Sequence, residues 1–396
     1  MPTLAEYPVS ELDPFAPEFF ADRYRYYDQL REAGPVVRLE RYGVWACARY
    51  AEVRSVLADP ETYCSGGGVG LSNLHVEQHW RKPSILLEND PPDHTRVRRA
   101  LMRVLTAKNI RKLRELFESK AVELIEQVIA LGTFDAVRDF ARPFPLRVFP
   151  DAVGLVAEDR EPLVAYGRMV FDGMGPQNDI YREVMADAEA TVEWINAQCQ
   201  RSALRPGGLG AQVYGAVDAG ELTEAEGALV VRSFLSAGVD TTIHALASAL
   251  YCFACYPEQW QLLRADVSRA GHAFEELLRY EAPFQQFFRT TTRQTQLADV
   301  RLGPEEKVLV MPGSANQDPR QLPDPDRFDI TRRPVGHLGF GHGIHSCVGQ
   351  LIARLEGEVL LTELARRVER IELAGEPTWG HSNTLRGLAQ LQVTVR

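Results

Sequence analysis

One ten-residue stretch late in the chain, Phe340-Gly341-His342-Gly343-Ile344-His345-Ser346-Cys347-Val348-Gly349, constrains the fold more than any other. A lone cysteine lies among glycines, and a helix-forming run, 350–367, follows at once. Glycine lacks a Cβ and tolerates positive φ, so this backbone can turn tightly and come close to a flat partner. The N–H groups opening the next helix point back at the sulfur and favour its thiolate. A thiolate held beneath such a loop suits haem iron. Two other uses stay open on the loop alone. Cys347 could be an inert core thiol, or His342, His345 and Cys347 could begin a zinc site, although no second cluster at zinc-like spacing completes it.

Charge and composition exclude several classes. The net charge of -10 argues against bulk nucleic-acid binding. Six cysteines without paired spacing point to a reducing compartment, hence the cytoplasm. Residues 1–10 contain no apolar run, so no signal peptide is expected there. The most apolar long stretch, 228–256, carries Arg232, Asp240 and His244, which makes it a buried helix and not a membrane span. No Gly/Ser linker or repeat divides the chain, so one domain over 1–396 is expected.

Along the chain, periodicity predicts a helix over 18–33, a hairpin over 36–50 turning near Tyr42-Gly43, and a short helix over 51–58. No period survives over 61–89, and so long an irregular stretch is usually functional or mobile. The prolines of Asp90-Pro91-Pro92 open a helix on which His94 and Arg98 share a face. That pair suits a carboxylate, or else belongs to a solvated basic face with Arg96 and Arg99. Further helices are expected over 109–131, 158–173 and 179–200, with a break at Gly173-Met174-Gly175-Pro176.

Thr223 and Glu226 form a capping box, and Pro257 marks the far end of the helix it opens. The interval allows some 30 residues, roughly 45–50 Å of continuous helix at ~1.5 Å per residue. Ser233, Ala237 and Thr241 recur every four positions, with Ser236 and Asp240 beside them. Small polar groups on one stripe suggest a cavity wall, since a packing stripe would carry Leu or Ile. Taken alone, Thr241 could be a back-bonded helix residue and Asp240 a surface charge. Cys252 and Cys255 read as small core residues. Glu276 and Arg279, at i and i+3, would suit a surface helix pair.

Taken together these stretches resemble the cytochrome P450 family. The loop matches Phe-Gly-x-Gly-x-His-x-Cys-x-Gly. His94-Thr95-Arg96-Val97-Arg98, Ala237-Gly238-Val239-Asp240-Thr241-Thr242 and Glu276-Leu277-Leu278-Arg279 match further family motifs, in family order. The resemblance implies a mainly α fold with small β-sheets, a triangular helical prism whose long central helix crosses over a haem b. It implies Cys347 as the iron ligand, Phe340 at the haem, and His94, Arg98, Arg289 and His345 on its propionates. Asp240 and Thr241 would handle protons for O2 activation, and 61–89 would form a lid. Glu276 and Arg279, with Arg327 as third member, would brace the haem loop. Lacking an N-terminal anchor, the chain resembles the soluble bacterial type: monomeric, free of membranes and nucleic acid, and served by a separate 2Fe–2S ferredoxin with an NADH-dependent reductase. Arg96, Arg99, Arg103, Lys108, Arg111, Lys112 and Arg114 form a basic concentration, on the haem's thiolate side in the family, suited to an acidic ferredoxin.

A closer resemblance is to bacterial P450s that demethylate para-methoxybenzoic acids, carried by Arg81-Lys82-Pro83-Ser84, Phe171, Val231-Arg232-Ser233 with Ser236, and Phe287-Phe288-Arg289. It implies a small aromatic acid as substrate. Ser84 and Ser233 would donate to its carboxylate, supported by Arg81 and Arg232, while Phe171 and Phe287 pack the ring. Met174 stands where those relatives have a second roof phenylalanine, which implies a roomier pocket. Two rival functions are a peroxide-driven peroxygenase, whose family carries Arg-Pro in place of Asp240-Thr241, and a non-catalytic haem-binding protein.

Overall fold

The strands Val44–Cys47, Phe287–Thr291 and Lys307–Val310 are buried on both faces. Successive side chains point to opposite sides of a strand, and here each side meets its own apolar cluster. Val44, Ala46, Phe288 and Leu309 pack with Phe19, Phe20 and Tyr27. Trp45, Cys47, Phe287, Val308 and Val310 pack with Val53, Val56 and Leu57. These strands form the middle of a six-stranded mixed sheet ordered Val9–Ser10, Val37–Leu39, Val44–Cys47, Lys307–Val310, Phe287–Thr291, Tyr63–Cys64. The expected hairpin is its Val37–Leu39/Val44–Cys47 pair, turning at Gly43 with φ +60. The computed structural model describes residues 7–333 and 336–396. Part of the N-terminal stretch 1–10 discussed above therefore lies outside the described residues.

The remainder is mainly helical with three smaller sheets. Helix Gln350–Arg367 packs against Arg114–Leu131 and Ala270–Tyr280. Gly357 admits the Phe274 ring, since a methyl there would fall 2.3 Å from it. Among the described residues no helix is long and apolar enough to cross a membrane.

Several expected helices are divided in two, the first of them at a side-chain cap. The run 18–33 divides at Asp22, whose carboxylate caps Arg23–Ala33 by accepting the Arg25 N–H at 3.3 Å. The run 109–131 becomes Ala107–Arg111, capped by Thr106, and Arg114–Leu131. The run 179–200 becomes Asp179–Val184 and Ala188–Gln198.

The central helix is the main correction. Its capping box forms as expected, but one continuous helix does not. Glu224–Ala237 and Asp240–Cys255 are separated at Gly238-Val239. The Thr241 hydroxyl donates to Ala237 O at 3.0 Å, the carbonyl that the Thr241 N–H would otherwise take. A side chain inserted into the ladder is a recognised cause of such breaks. Gly238 is required because a Cβ there would lie 2.3 Å from the Phe149 ring. Cys255, expected in the core, is exposed, whereas Cys252 is buried.

Below this helix, Glu276 and Arg279 form a buried bidentate pair, Nε to Oε2 at 2.7 Å and NH2 to Oε1 at 2.9 Å. Arg279 also donates to the carbonyls of Asn316, Pro325 and Arg327. Arg327 supplies only that carbonyl. Its exposed side chain turns to Asp329 at 3.7 Å, and its backbone N–H closes a turn on Asp324 O at 3.2 Å. The third member of the brace is Arg332, with Nε 3.5 Å from Glu276 Oε1. Arg279→Leu should therefore cost about 3–5 kcal/mol by stranding Glu276, while Arg327→Ala should stay within about 0.5 kcal/mol. Urea unfolding decides this, with Arg332→Ala expected between the two; equal losses at Arg279 and Arg327 would restore the original assignment.

Candidate functional site

The glycines of the 340–349 loop act as the sequence suggests. Gly341 and Gly343 have φ of +71 and +72, and a methyl at Gly343 would strike Leu57 O at 2.3 Å. Phe340 closes the loop by accepting the Cys347 N–H at 2.8 Å, and its ring lies 4.5 Å from the Arg354 guanidinium. The Cys347 sulfur is solvent-accessible. The protein around it nonetheless pushes its thiol up, while the N–H groups of Gly349 and Gln350 and the guanidiniums of Arg98 and Arg354 pull it down. Beside Phe340, Glu275 receives His337 and Arg354. Burial would raise this carboxyl, but those two partners outweigh it and hold it at about 2.

Four predicted cofactor contacts converge without any carboxylate partner among the described residues. His94 is buried on helix Asp93–Val104 and neither ring nitrogen has a partner. Its ring centroid lies 4.2 Å from that of His345, whose Nε2 is also orphaned. Arg98 donates only to Ser346, at 2.7 Å to its carbonyl, and Arg289 only to Phe288 O. Burial, with Arg289, His94 and Arg98 facing it, pushes His345 down to about 2, and burial lowers Arg289 to about 10. Unpartnered donors at such a density call for anions. A haem with two propionates and iron on Cys347 fits this donor set. A zinc site does not, since among the described residues no three His, Cys, Asp or Glu groups gather around a point.

At the helix break, Ala237 ends its helix exposed and Ser233, Ser236 and Thr241 are half-buried, whereas their neighbours Arg232, Phe234, Leu235 and Asp240 are buried. The small-residue stripe therefore faces open space. Thr241 is back-bonded to Ala237, so its oxygen remains an acceptor toward that space. Asp240 is no surface charge. It is 3% exposed, its Oδ2 has no partner, and it packs on Gly167 of helix Glu161–Asp172. Burial, reinforced by Asp172, pushes it up to about 8.

The residues expected to meet substrate come together with two corrections. Ser84 Oγ and Ser233 Oγ are 3.2 Å apart, and Ser236 Oγ donates to Ser233 O at 3.3 Å. Arg81 is not a free cation: Glu88 takes it bidentately at 2.9 and 3.2 Å, both side chains buried, and Glu88 also accepts the Ser84 N–H at 2.7 Å. Arg232 points back to the lid and donates to Lys82 O at 2.7 Å. Both arginines thus hold the Lys82–Ser84 backbone. Two guanidiniums against the single Glu88 carboxylate leave one positive charge behind Ser84. Phe171 and Phe287 do not meet directly. Phe284 joins them, stacked on Phe287 at 5.0 Å and edge-on to Phe171 at 5.6 Å. Met174 is buried, and its carbonyl accepts Leu71 N–H at 2.8 Å, tying lid to roof.

Sequence reasoning missed Phe284, Glu88 and Glu356. Phe284 and Glu88 lie in or beside irregular stretches and gave no periodic signal. Glu356 did give one: it interrupts the apolar stripe Ile352, Leu355, Val359 of its helix. It is buried with Oε1 unpartnered, and burial pushes it up to about 8 against the Thr242 hydroxyl.

The family model described as Cytochrome P450 matches residues 270–377. The chain is 50% identical over 385 residues to cytochrome P450 CYP199A2 of Rhodopseudomonas palustris, covering 97% of this chain and 93% of that one. It is 32% identical over 399 residues to 6-deoxyerythronolide B hydroxylase of Saccharopolyspora erythraea, covering 95% and 97%. The solved structure of cytochrome P450 CYP109Q5 from Chondromyces apiculatus superposes with a TM-score of 0.84 at 30% identity, over 98% of this chain and 99% of that one.

Asp240 and Glu356 both titrate abnormally, so stability should depend on them in a defined window. Each holds its proton in the fold but loses it in the unfolded chain above about pH 4, so the fold is penalised progressively as pH rises toward 8. Asp240→Asn and Glu356→Gln should gain more in Tm over wild type at pH 8 than at pH 5. Parallel Tm–pH curves would mean that these carboxyls titrate normally.

Proposed function

Because this chain belongs to the cytochrome P450 family and is a haem-thiolate monooxygenase, we propose that it oxidises the alkoxy carbon of a small aromatic acid with electrons from a ferredoxin. Bound haem supplies the reductive activation of O2 and the insertion of one oxygen atom into a C–H bond. Cys347 would hold the iron, with Phe340 beside it; His94, Arg98, Arg289 and His345 would neutralise the propionates. For a para-methoxy acid, substrate, O2, two electrons and two protons give the hemiacetal and water. The hemiacetal then releases formaldehyde and leaves a phenol.

The observation that carries the substrate class is the Ser84/Ser233 hydroxyl pair backed by one excess positive charge. A carboxylate there would accept from the Ser84 hydroxyl, and from the Ser233 hydroxyl once it turns from the Leu229 carbonyl to which it donates at 3.0 Å. The phenylalanine wall would sandwich the ring, turning the opposite substituent to the iron side. Thr241 would hold a hydrogen-bonded group in the helix break, and Asp240, protonated near neutrality, would give a proton toward it. Asp240-Thr241 is the acid–alcohol pair that peroxygenases replace, which supports the O2-dependent reading.

Redox partners must bring the electrons. Arg96, Arg103 and Arg114 already pair with Glu226, Glu221 and Glu358. Arg99, Lys108, Arg111 and Lys112 are exposed and make no ion pair among the described residues. With exposed Met102 on the same helix as Arg99 and exposed Leu351 four residues after Cys347, these free cations would suit an acidic ferredoxin.

Substituted benzoic acids should shift the holoenzyme from low to high spin, and neutral analogues should not. Ser84→Ala with Ser233→Ala should weaken acid binding about 10- to 100-fold. Indifference to the carboxylate would discard the pocket assignment. Met174 should let meta-substituted acids bind as well; strict para selectivity would argue against the roomier pocket. Electron transfer should slow steeply at low salt in Arg99→Glu/Lys112→Glu and much less in Arg103→Ala, measured by stopped-flow reduction. An unchanged rate in the double variant would move the docking face elsewhere.

A further inference from the structure

One titratable residue of the central helix has no place in the chemistry above. His244 follows Asp240 by four positions on Asp240–Cys255, so their side chains share a face. A glycine on a different element makes room for each. A methyl at Gly167, on the roof helix Glu161–Asp172, would fall 2.3 Å from Asp240 Oδ2. One at Gly387, in the C-terminal loop, would fall 1.8 Å from His244 Nδ1. Both Asp240 Oδ2 and His244 Nδ1 are buried without a hydrogen-bond partner.

The same seam contains other buried polar groups. Arg23 donates through NH2 to Leu385 O at 2.9 Å and Ser382 O at 3.4 Å, while its Nε and NH1 are buried and unpartnered. Asp172, at the end of the roof helix, accepts the Ser382 hydroxyl and the Asn383 N–H, the latter at 2.9 Å. Central helix, roof helix, C-terminal loop and helix Arg23–Ala33 therefore contribute facing polar atoms to one region. Buried atoms of this kind are partnered by internal water in folded proteins.

We propose that His244 is the relay that returns a proton to Asp240, through water held between the two side chains. Asp240 is almost fully buried, whereas His244 keeps part of its surface accessible. Burial pushes His244 down to about 4, with Arg168 and Arg23 adding to the effect, so the ring is neutral near pH 7. Facing Asp240 are Asp172, which raises it further, and Arg168 and Arg142, which oppose the rise. A neutral imidazole has one donor and one acceptor nitrogen. When the carboxyl gives its proton toward Thr241, one proton enters from solvent at the acceptor nitrogen. The other nitrogen releases its own through water to the Asp240 carboxylate. The ring is left in its other tautomer, resets by exchange with water, and stores no charge.

His244 touches neither substrate nor the cofactor-binding residues and is a positioning residue. The proposal rests on Asp240 as proton donor and holds for any substrate. In the holoenzyme, His244→Phe should lower product formation about tenfold or more, raise the solvent deuterium isotope effect and divert reducing equivalents to peroxide. The spin-state titration and the rate of first-electron reduction should stay unchanged, and His244→Gln should recover part of the coupling. Independently of turnover, the 15N shifts of His244 in the diamagnetic, reduced, carbon monoxide-bound holoenzyme should move on Asp240→Asn. Wild-type coupling and isotope effect in His244→Phe, or His244 shifts indifferent to Asp240→Asn, would overturn the relay. If Asp240→Asn itself leaves the isotope effect unchanged, the donor assignment fails and the relay with it.

Discussion

The buried ion pair Glu276–Arg279 fixes where the sulfur can be. Burying two charges is costly unless geometry and hydrogen bonding are both satisfied, and here both are. The carboxylate takes two Arg279 bonds and the Asp329 N–H at 3.0 Å. The guanidinium spends its other donors on carbonyls of the irregular segment that leads to the loop. From there the path is continuous: Asn316 accepts Leu338 N–H at 2.7 Å, Leu338 accepts Gly341 N–H at 2.9 Å, and Phe340 accepts Cys347 N–H. An apolar pair of equal volume would fill the space but leave those carbonyls without donors. Glu275, one residue earlier on the same helix, turns to the other side and ties Arg354 of the helix after Cys347. Two adjacent glutamates thus clamp both flanks of one loop.

Electrostatics then divides the interior into zones of opposite need. Around the loop, His94, Arg98, Arg289 and His345 have no acid partner among the described residues. On the central helix and on the helix after Cys347, Asp240 and Glu356 are acids kept neutral by burial, and one uncompensated charge lies behind Ser84. In a chain with net charge -10, these cationic interior sites stand out from the bulk field and act at short range, where a low dielectric magnifies them. The binding of anionic groups thus relieves a cost that the fold already carries.

The parts legible in the sequence are those set by local rules. Glycine φ in the loop, the capping box at Thr223 and Glu226, and the hairpin turn at Gly43 each follow from a few neighbouring residues. What escaped depends on chain direction in aperiodic stretches. Arg327 and Arg332 lie five residues apart in one aperiodic segment, and no local pattern distinguishes the one that reaches Glu276. Glu88 is seven residues from Arg81 across a segment with no period, so their pairing left no trace. Phe284 enters the aromatic wall from a bend. The break at Gly238-Val239 requires knowing that Phe149 presses on Gly238 and that the Thr241 hydroxyl takes a backbone acceptor. Cys255 shows the complementary error, an apolar-looking helix end that is in fact exposed.

The oxidant side and the target side are therefore built from different materials. The buried pair Glu276–Arg279 within one helix and the half-buried pair Glu275–Arg354 between two helices hold the flanks of the Cys347 loop, and removing Arg279 strands a buried carboxylate. Lid, roof turn and C-terminal loop are irregular and meet through backbone and amide bonds: Leu71 to Met174, Gln285 to Thr384, Asn178 to Asn383. Such contacts run through the backbone and two asparagine amides, so the side chains of Met174 and Phe284 can be exchanged without breaking them while the sulfur stays in place. The two sides meet at Asp172. It pins the C-terminal loop to the roof and at the same time raises the carboxyl of Asp240. One buried acid thus links the packing of the C-terminal loop on the roof helix to the protonation of Asp240, so that a shift of either element is felt electrostatically at that carboxyl.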